Sequence, residues 1–149
     1  MTDYLEDGVA NRFEEDDSGL KTKAGRDASE TVSIKEGEEP FREALREPLS
    51  QAEEIAEAGI VVGIPFYNEA DTIGSVLKIA TKGLQEFYPD EKCVIVAAGS
   101  PAGGGAREVV NNLPHVDGIN RIAFLLNDER INGKGWSLRA IAEIARSLG

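Results

Sequence analysis

The sequence predicts an α/β fold, a Rossmann-like parallel sheet of three or more strands flanked by helices, carried by residues 58–149. Three observations predict it. Short apolar runs rich in β-branched side chains recur at 60–65, 92–98 and 119–126, each the length of a buried strand. Segments with apolar side chains at helical spacing lie between and after them, at 69–87, 106–113 and 134–148. The resulting order β-α-β-α-β-α is the pattern of parallel strands, which need crossover connections.

Each element has its own justification. The first strand ends in Gly63-Ile64-Pro65, and a polar turn leads into a helix with Asn68 placed to cap it and Glu69 in its first turn. Ile73, Val76, Leu77, Ala80, Leu84 and Phe87 fall on one stripe of that helix, so this face is expected to be buried, and Tyr88-Pro89 ends it. The second strand opens at the lone cysteine, Cys93, which reads as a small buried hydrophobe rather than a reactive thiol. A glycine-rich loop, 99–105, follows, then a short helix stopped by Pro114. Ile122, Phe124 and Leu126 alternate along the third strand. Leu138, Ile141, Ala142, Ala145 and Leu148 mark the buried face expected of the last helix. Three strands make a thin core, so marginal stability is expected.

Charge divides the chain. The whole carries a net −11, and residues 1–57 hold seventeen acidic and seven basic side chains against ten and nine in 58–149. High charge, few aromatics and scattered glycines predict that 1–57 is a disordered acidic segment and linker. Residues 40–57 have helical spacing at Phe41, Ala44, Leu45, Leu49 and Ala52, interrupted by Pro48, and read as a partly helical linker able to pack on the domain. On this reading, deleting residues 1–50 leaves the thermal midpoint nearly unchanged. No basic patch supplies phosphate neutralisation, so nucleic acid is not an expected partner. No apolar run reaches bilayer length and no leader pattern stands at the N-terminus, which predicts a cytoplasmic setting.

In open α/β sheets, ligands sit where strand ends turn into helices. Three such places carry candidate residues. The first is Pro65-Phe66-Tyr67-Asn68-Glu69, whose alternative reading is simply a good turn. The second is Gly99-Ser100, opening a loop whose glycines let backbone approach a ligand, or else merely make a flexible connection. The third is Lys134, between Gly133 and Gly135 at a helix start, where free N–H groups and an ammonium suit a diphosphate or nucleotide face; the plainer reading is a surface lysine. Trp136 reads as packing, and Arg130 as a solvated turn residue with a phosphate as its alternative. His115 stands alone, which gives no support for a protein metal site.

Pro65-Phe66-Tyr67-Asn68-Glu69 followed by Thr72-Ile73 and Val76-Leu77 resembles the opening motif of family 2 glycosyltransferases, inverting GT-A-fold enzymes that use nucleotide-activated sugars. Val94–Pro101 is similar to the family's second-strand block, and Asn132–Leu138 to its Gly-Lys-Gly block. The three occur in order over roughly 58–149, and the glucosyl- and mannosyl-3-phosphoglycerate synthase branch is the nearest in pattern. The resemblance implies an incomplete GT-A domain, its N-terminal nucleotide-binding half. Pro65, Phe66, Tyr67 and Glu69 would then lie at the nucleoside, Gly99 and Ser100 near it, and Lys134 at the base or phosphate. It also implies a nucleotide-sugar donor, a small-molecule acceptor and, for the complete enzyme, a divalent Mg or Mn. The family's metal motif follows a later strand and its catalytic base lies later still, so a truncated half without turnover is expected. A homo-oligomer is compatible with this reading. Where the family carries Asp after the second strand, this chain has Ala97, Ala98 and Ala102, a departure from the usual nucleoside recognition. Two alternatives stand beside it: a non-catalytic nucleotide-binding or regulatory module, and another Rossmann-like enzyme using loop 99–105 as a phosphate cradle.

Overall fold

The structure, a computed structural model, describes residues 35–67, 70–100 and 105–149. The disorder expected of the acidic N-terminus, the capping by Asn68 and most of the glycine-rich loop therefore lie outside the described residues. Helix α1 (35–55) is followed by strand β1 (Ile60–Phe66), α2 (Ala70–Phe87), β2 (Cys93–Gly99), α3 (Ala106–Asn111), β3 (Ile119–Leu125), a 3-10 turn (Glu129–Ile131) and α4 (Lys134–Ser147). The three strands form one parallel sheet in the order β1-β2-β3. Val62 pairs with Ile95 and Ile95 with Arg121, so the register puts all three C-terminal strand ends on one edge. The expected α/β, Rossmann-like sheet is what the chain forms.

Both faces of the sheet are covered, which explains why β1 and β2 read as near-continuous apolar runs. Every residue of the central strand β2 is buried. Alternation divides its side chains between two cores. Cys93, Ile95 and Ala97 join Ile73, Leu77 and Leu84 of α2 and Ala106 and Val110 of α3. Val94, Val96 and Ala98 face the other way, with Ile122 and Phe124 of β3, against Ile141 and Ile144 of α4 and Phe41, Leu45 and Ala52 of α1.

That last contact makes residues 40–55, read as a partly helical linker able to pack on the domain, part of the folded unit. Residues Glu39–Gly149 form one compact unit. Helix α1 runs through Pro48 rather than stopping there. A proline inside a helix removes the bond to the carbonyl four residues back, here that of Ala44, and crowds it. Phe41, Leu45 and Ala52 each bury at least nine-tenths of their surface, and Pro48 is itself buried. Apolar burial of this size, on the order of 1.5–3 kcal/mol per large side chain, offsets one lost backbone bond. The helix ends at Ala56, in the left-handed region at φ 74°, with its N–H donating to the Ala52 carbonyl at 2.9 Å. Lys92 Nζ donates to the Ile55 carbonyl at 2.7 Å, and the Ala58 N–H donates to the Leu148 carbonyl at 3.0 Å, tying this end to β2 and α4.

Two helix faces are rotated from expectation. On α2, Val76 and Phe87 are 45% and 71% exposed instead of buried, whereas Ile73, Leu77 and Leu84 are inside. Gly74 lies against Val109 of α3, and at 100° per residue Val76 and Ile79 point to the opposite side, beyond the edge strand β1. On α4, Leu138 is 49% exposed, and the buried face is Ser137, Ala140, Ile141 and Ile144. α4 is held from two directions, by β1 and β2 below and by α1 beside it, and this turns Trp136 toward Phe41. Trp136 thus packs, as expected.

Cys93 is buried, its thiol donating weakly to the Glu91 carbonyl at 3.5 Å. Burial, with a smaller contribution from the Glu91 charge, raises its pKa. Since the thiolate is the nucleophile, a disulfide reagent at pH 8 is expected to label native protein at least about tenfold more slowly than urea-unfolded protein. Equal rates would place the thiol at the surface.

Candidate functional site

The C-terminal edge of the sheet builds a cavity of about 280 Å³, lined by Pro65, Phe66, Tyr67, Ser100, Gly133, Lys134 and Ser137. Five of the expected site residues therefore meet, although they come from three separate stretches of sequence. The parallel register explains why. Phe66 and Gly99 are partners at the ends of β1 and β2, and the Ser100 N–H donates to the Phe66 carbonyl at 3.3 Å. The chain then returns from β3 through α4, which crosses the opposite face from α2 and α3 to lie on β1 and β2. The start of α4 thus stands over those two strand ends, at the kind of crevice where open α/β sheets take ligands.

Each wall has a local cause. Phe66 is 3% exposed and packs directly on Gly99, where any Cβ would run into its ring. Gly99, also expected at the site, does not line the cavity; it leaves the space behind it that the Phe66 ring occupies. Its carbonyl accepts from the Leu126 N–H at 2.8 Å, which fixes the end of β3 against β2. Tyr67 is 57% exposed, leaving an aromatic ring at the rim. Ser100 Oγ donates to Asn132 Oδ1 at 2.6 Å and so joins the end of β2 to the turn that precedes α4. In that turn Gly133 sits at φ 144°, ψ 161°, a conformation essentially confined to glycine.

α4 begins without a side-chain cap and with no acidic residue in its first turn, and the Ser137 N–H already bonds to the Gly133 carbonyl at 3.2 Å. Its earlier N–H groups and the exposed Lys134 give this end of the cavity a positive potential. Pro65 and Phe66 supply apolar walls. The arrangement suits a planar, partly apolar group with acceptor atoms.

Glu69 lies outside the described residues. Arg130 is not at this cavity: its guanidinium bonds to Asp128 at 2.8–2.9 Å, beside a wider depression of about 760 Å³ between α1 and the end of β3. The Arg130 side chain and N–H hold the Asp128 carboxyl down at about 2. That depression is lined by charges that pair with one another, Arg46 with Glu43 at 2.7 Å and Arg107 with Glu47 at 3.8 Å. Its wall mixes these pairs with apolar side chains, among them Pro40, Ala44, Phe124 and Ile131.

The described residues that line the cavity include no carboxylate, imidazole or thiolate, so they do not fit a divalent cation. No three His, Cys, Asp or Glu side chains among the described residues come together in a way that could hold one. No helix among them is long and apolar enough to cross a membrane.

Two contributors escaped the sequence reading. Asn132 and Ser137 were read only as parts of the Gly-Lys-Gly block, not as site residues. A polar residue four positions before Ile141, on the face that proves to be buried, was the available signal for Ser137. Comparison with protein-family models, curated proteins and solved structures finds no match to this chain.

Proposed function

We propose that residues 58–149 bind a nucleotide-activated sugar through its nucleoside, as the nucleotide-binding half of a family 2 glycosyltransferase. The observation that carries this is the convergence of Pro65, Phe66, Tyr67, Ser100 and Lys134 on one cavity at the C-terminal strand ends. The reaction class rests on the resemblance of the three sequence blocks, and donor binding is the part of the reaction assigned to these residues. Pro65 and Phe66 flank the base, Tyr67 covers it from the rim, and Lys134 approaches an acceptor atom of the base or the phosphate. Transfer to an acceptor needs a base to deprotonate the attacking hydroxyl and charge stabilisation on the departing diphosphate. A divalent metal is proposed to supply the latter in the complete enzyme, through ligands other than the cavity residues.

The test is calorimetric titration with UDP and GDP, with and without manganese, on wild type and Lys134→Ala. Weak, metal-independent binding is expected, lowered about tenfold or more by removal of the charged donor. Circular dichroism should be unchanged, because Lys134 is exposed. Undiminished affinity in Lys134→Ala would remove Lys134 from the site, and tight binding that depends on manganese would mean that a metal site lies within this chain.

A further inference from the structure

We infer that the Ser137 hydroxyl is the group that reads the base, donating to a carbonyl oxygen on the edge of a pyrimidine or purine far from its sugar. This rests on the nucleotide reading of the cavity proposed above. Ser137 is 3% exposed and lies on the buried face of α4 beside Ala140 and Ile141. A buried hydroxyl normally finds a partner. Among the described residues this one has none, whereas Ser100 and Ser147 both donate, at 2.6 Å and 2.9 Å. Among the described residues no buried side-chain oxygen is sealed from solvent without a partner, so the Ser137 oxygen opens onto the cavity it lines. A donor site stands ready on the cavity floor.

Its surroundings decide what it takes. A hydroxyl both donates and accepts. Ser137 nevertheless stands in the first turn of α4, next to N–H groups that only donate and near the Lys134 ammonium. The positive end of the helix favours an acceptor atom there and disfavours an amino group. Apolar Pro65 and Phe66 make the deep part of the cavity a better place for a neutral ring than for a phosphate, whose desolvation is costly. With the ring inside and the sugar at the open rim by Tyr67, the far edge of the base meets Ser137. Uracil and guanine carry a carbonyl on that edge, and cytosine and adenine carry an amino group. The Ser100–Asn132 bond serves the same recognition indirectly, since it holds the turn from which α4 starts.

The experiment compares UDP, CDP and inorganic diphosphate on wild type and Ser137→Ala, by calorimetry or by protein-observed NMR titration. Wild type is expected to prefer UDP over CDP. Ser137→Ala should weaken UDP about three- to tenfold, the range for one hydrogen bond, while changing CDP less than about twofold. Diphosphate should be indifferent to the substitution. The thermal midpoint should hold or rise, because the hydroxyl supports no protein contact and alanine favours helix. A lower midpoint with an unchanged UDP-to-CDP ratio overturns the inference by showing a structural role. Equal weakening of diphosphate and UDP overturns it by placing a phosphate on the hydroxyl. If wild type binds UDP and the variant binds it equally well, Ser137 is excluded while the nucleotide reading stands. If wild type binds none of the three, the nucleotide reading fails and the inference goes with it.

Discussion

Phe41→Ala is expected to cost about 3–5 kcal/mol, the usual range for emptying a buried phenylalanine site. Stabilities of small domains total only about 5–15 kcal/mol, so a three-stranded unit has little margin for such a loss. Phe41 is 2% exposed in the core that covers one face of the sheet. Its ring lies 5.2 Å from that of Trp136, and the Arg139 guanidinium stacks 4.5 Å from its centroid. Alanine at 41 removes all three interactions and leaves a void between α1 and α4. Deleting residues 1–50 should be worse, since it also removes Leu45 and exposes Val94, Val96, Ile122 and Phe124, which share that core. This reverses the outcome expected from charge alone. Urea unfolding followed by circular dichroism measures both variants, with exposed Arg42→Ala, expected within about 0.5 kcal/mol of wild type, as the control. A Phe41→Ala midpoint indistinguishable from that control would mean that α1 does not hold the sheet in solution.

β1 and β2 were legible because burial on both faces leaves a near-continuous apolar signature, and β3, which carries Asn120 and Arg121, through the alternation of Ile122, Phe124 and Leu126. α1 was legible only in part, because its signals conflict. Phe41, Leu45 and Ala52 repeat at helical spacing, but they sit among acidic residues and are interrupted by Pro48. Local propensity argued for a break there, and burial against the sheet overrides it. Helix faces were legible only to within a quarter turn. Val76 and Leu77 are both apolar, and which one goes inside depends on where α3 and the sheet edge lie. Pro65, Ser100 and Lys134 could be singled out since each stands at a strand end or a helix start, and a parallel sheet gathers its strand ends on one edge. Ser137 belongs to the cavity only because α4 doubles back over β1 and β2, and no spacing rule in one chain announces that path.

Gly99→Ala and Gly133→Ala should each destabilise the protein by about 1–3 kcal/mol and weaken nucleotide binding, for different reasons that can be separated. At Gly99 the backbone is ordinary strand, and the obstacle is the Phe66 ring, which any Cβ would strike. Phe66 is buried, so it can only yield by shifting within the wall of the cavity. Trimming it should help: the double variant Gly99→Ala with Phe66→Leu should be more stable than the sum of the single losses, by a coupling of roughly 0.5–3 kcal/mol. At Gly133 there is open space, with nothing within 4 Å of an added Cβ, and the obstacle is φ 144° itself. No trimmed neighbour can relieve that. A D-alanine introduced by semisynthesis should be tolerated instead, since positive φ is the favoured side for a D residue. L-alanine must either hold the strained angle or let the turn relax, and relaxation would swing Lys134 and the first turn of α4 away from Ser100. Binding should therefore fall further for Gly133→Ala than its loss of stability alone accounts for. If Gly133→Ala instead keeps both its thermal midpoint and its UDP affinity, the turn tolerates an L residue, and α4 does not depend on this glycine for its position over the cavity.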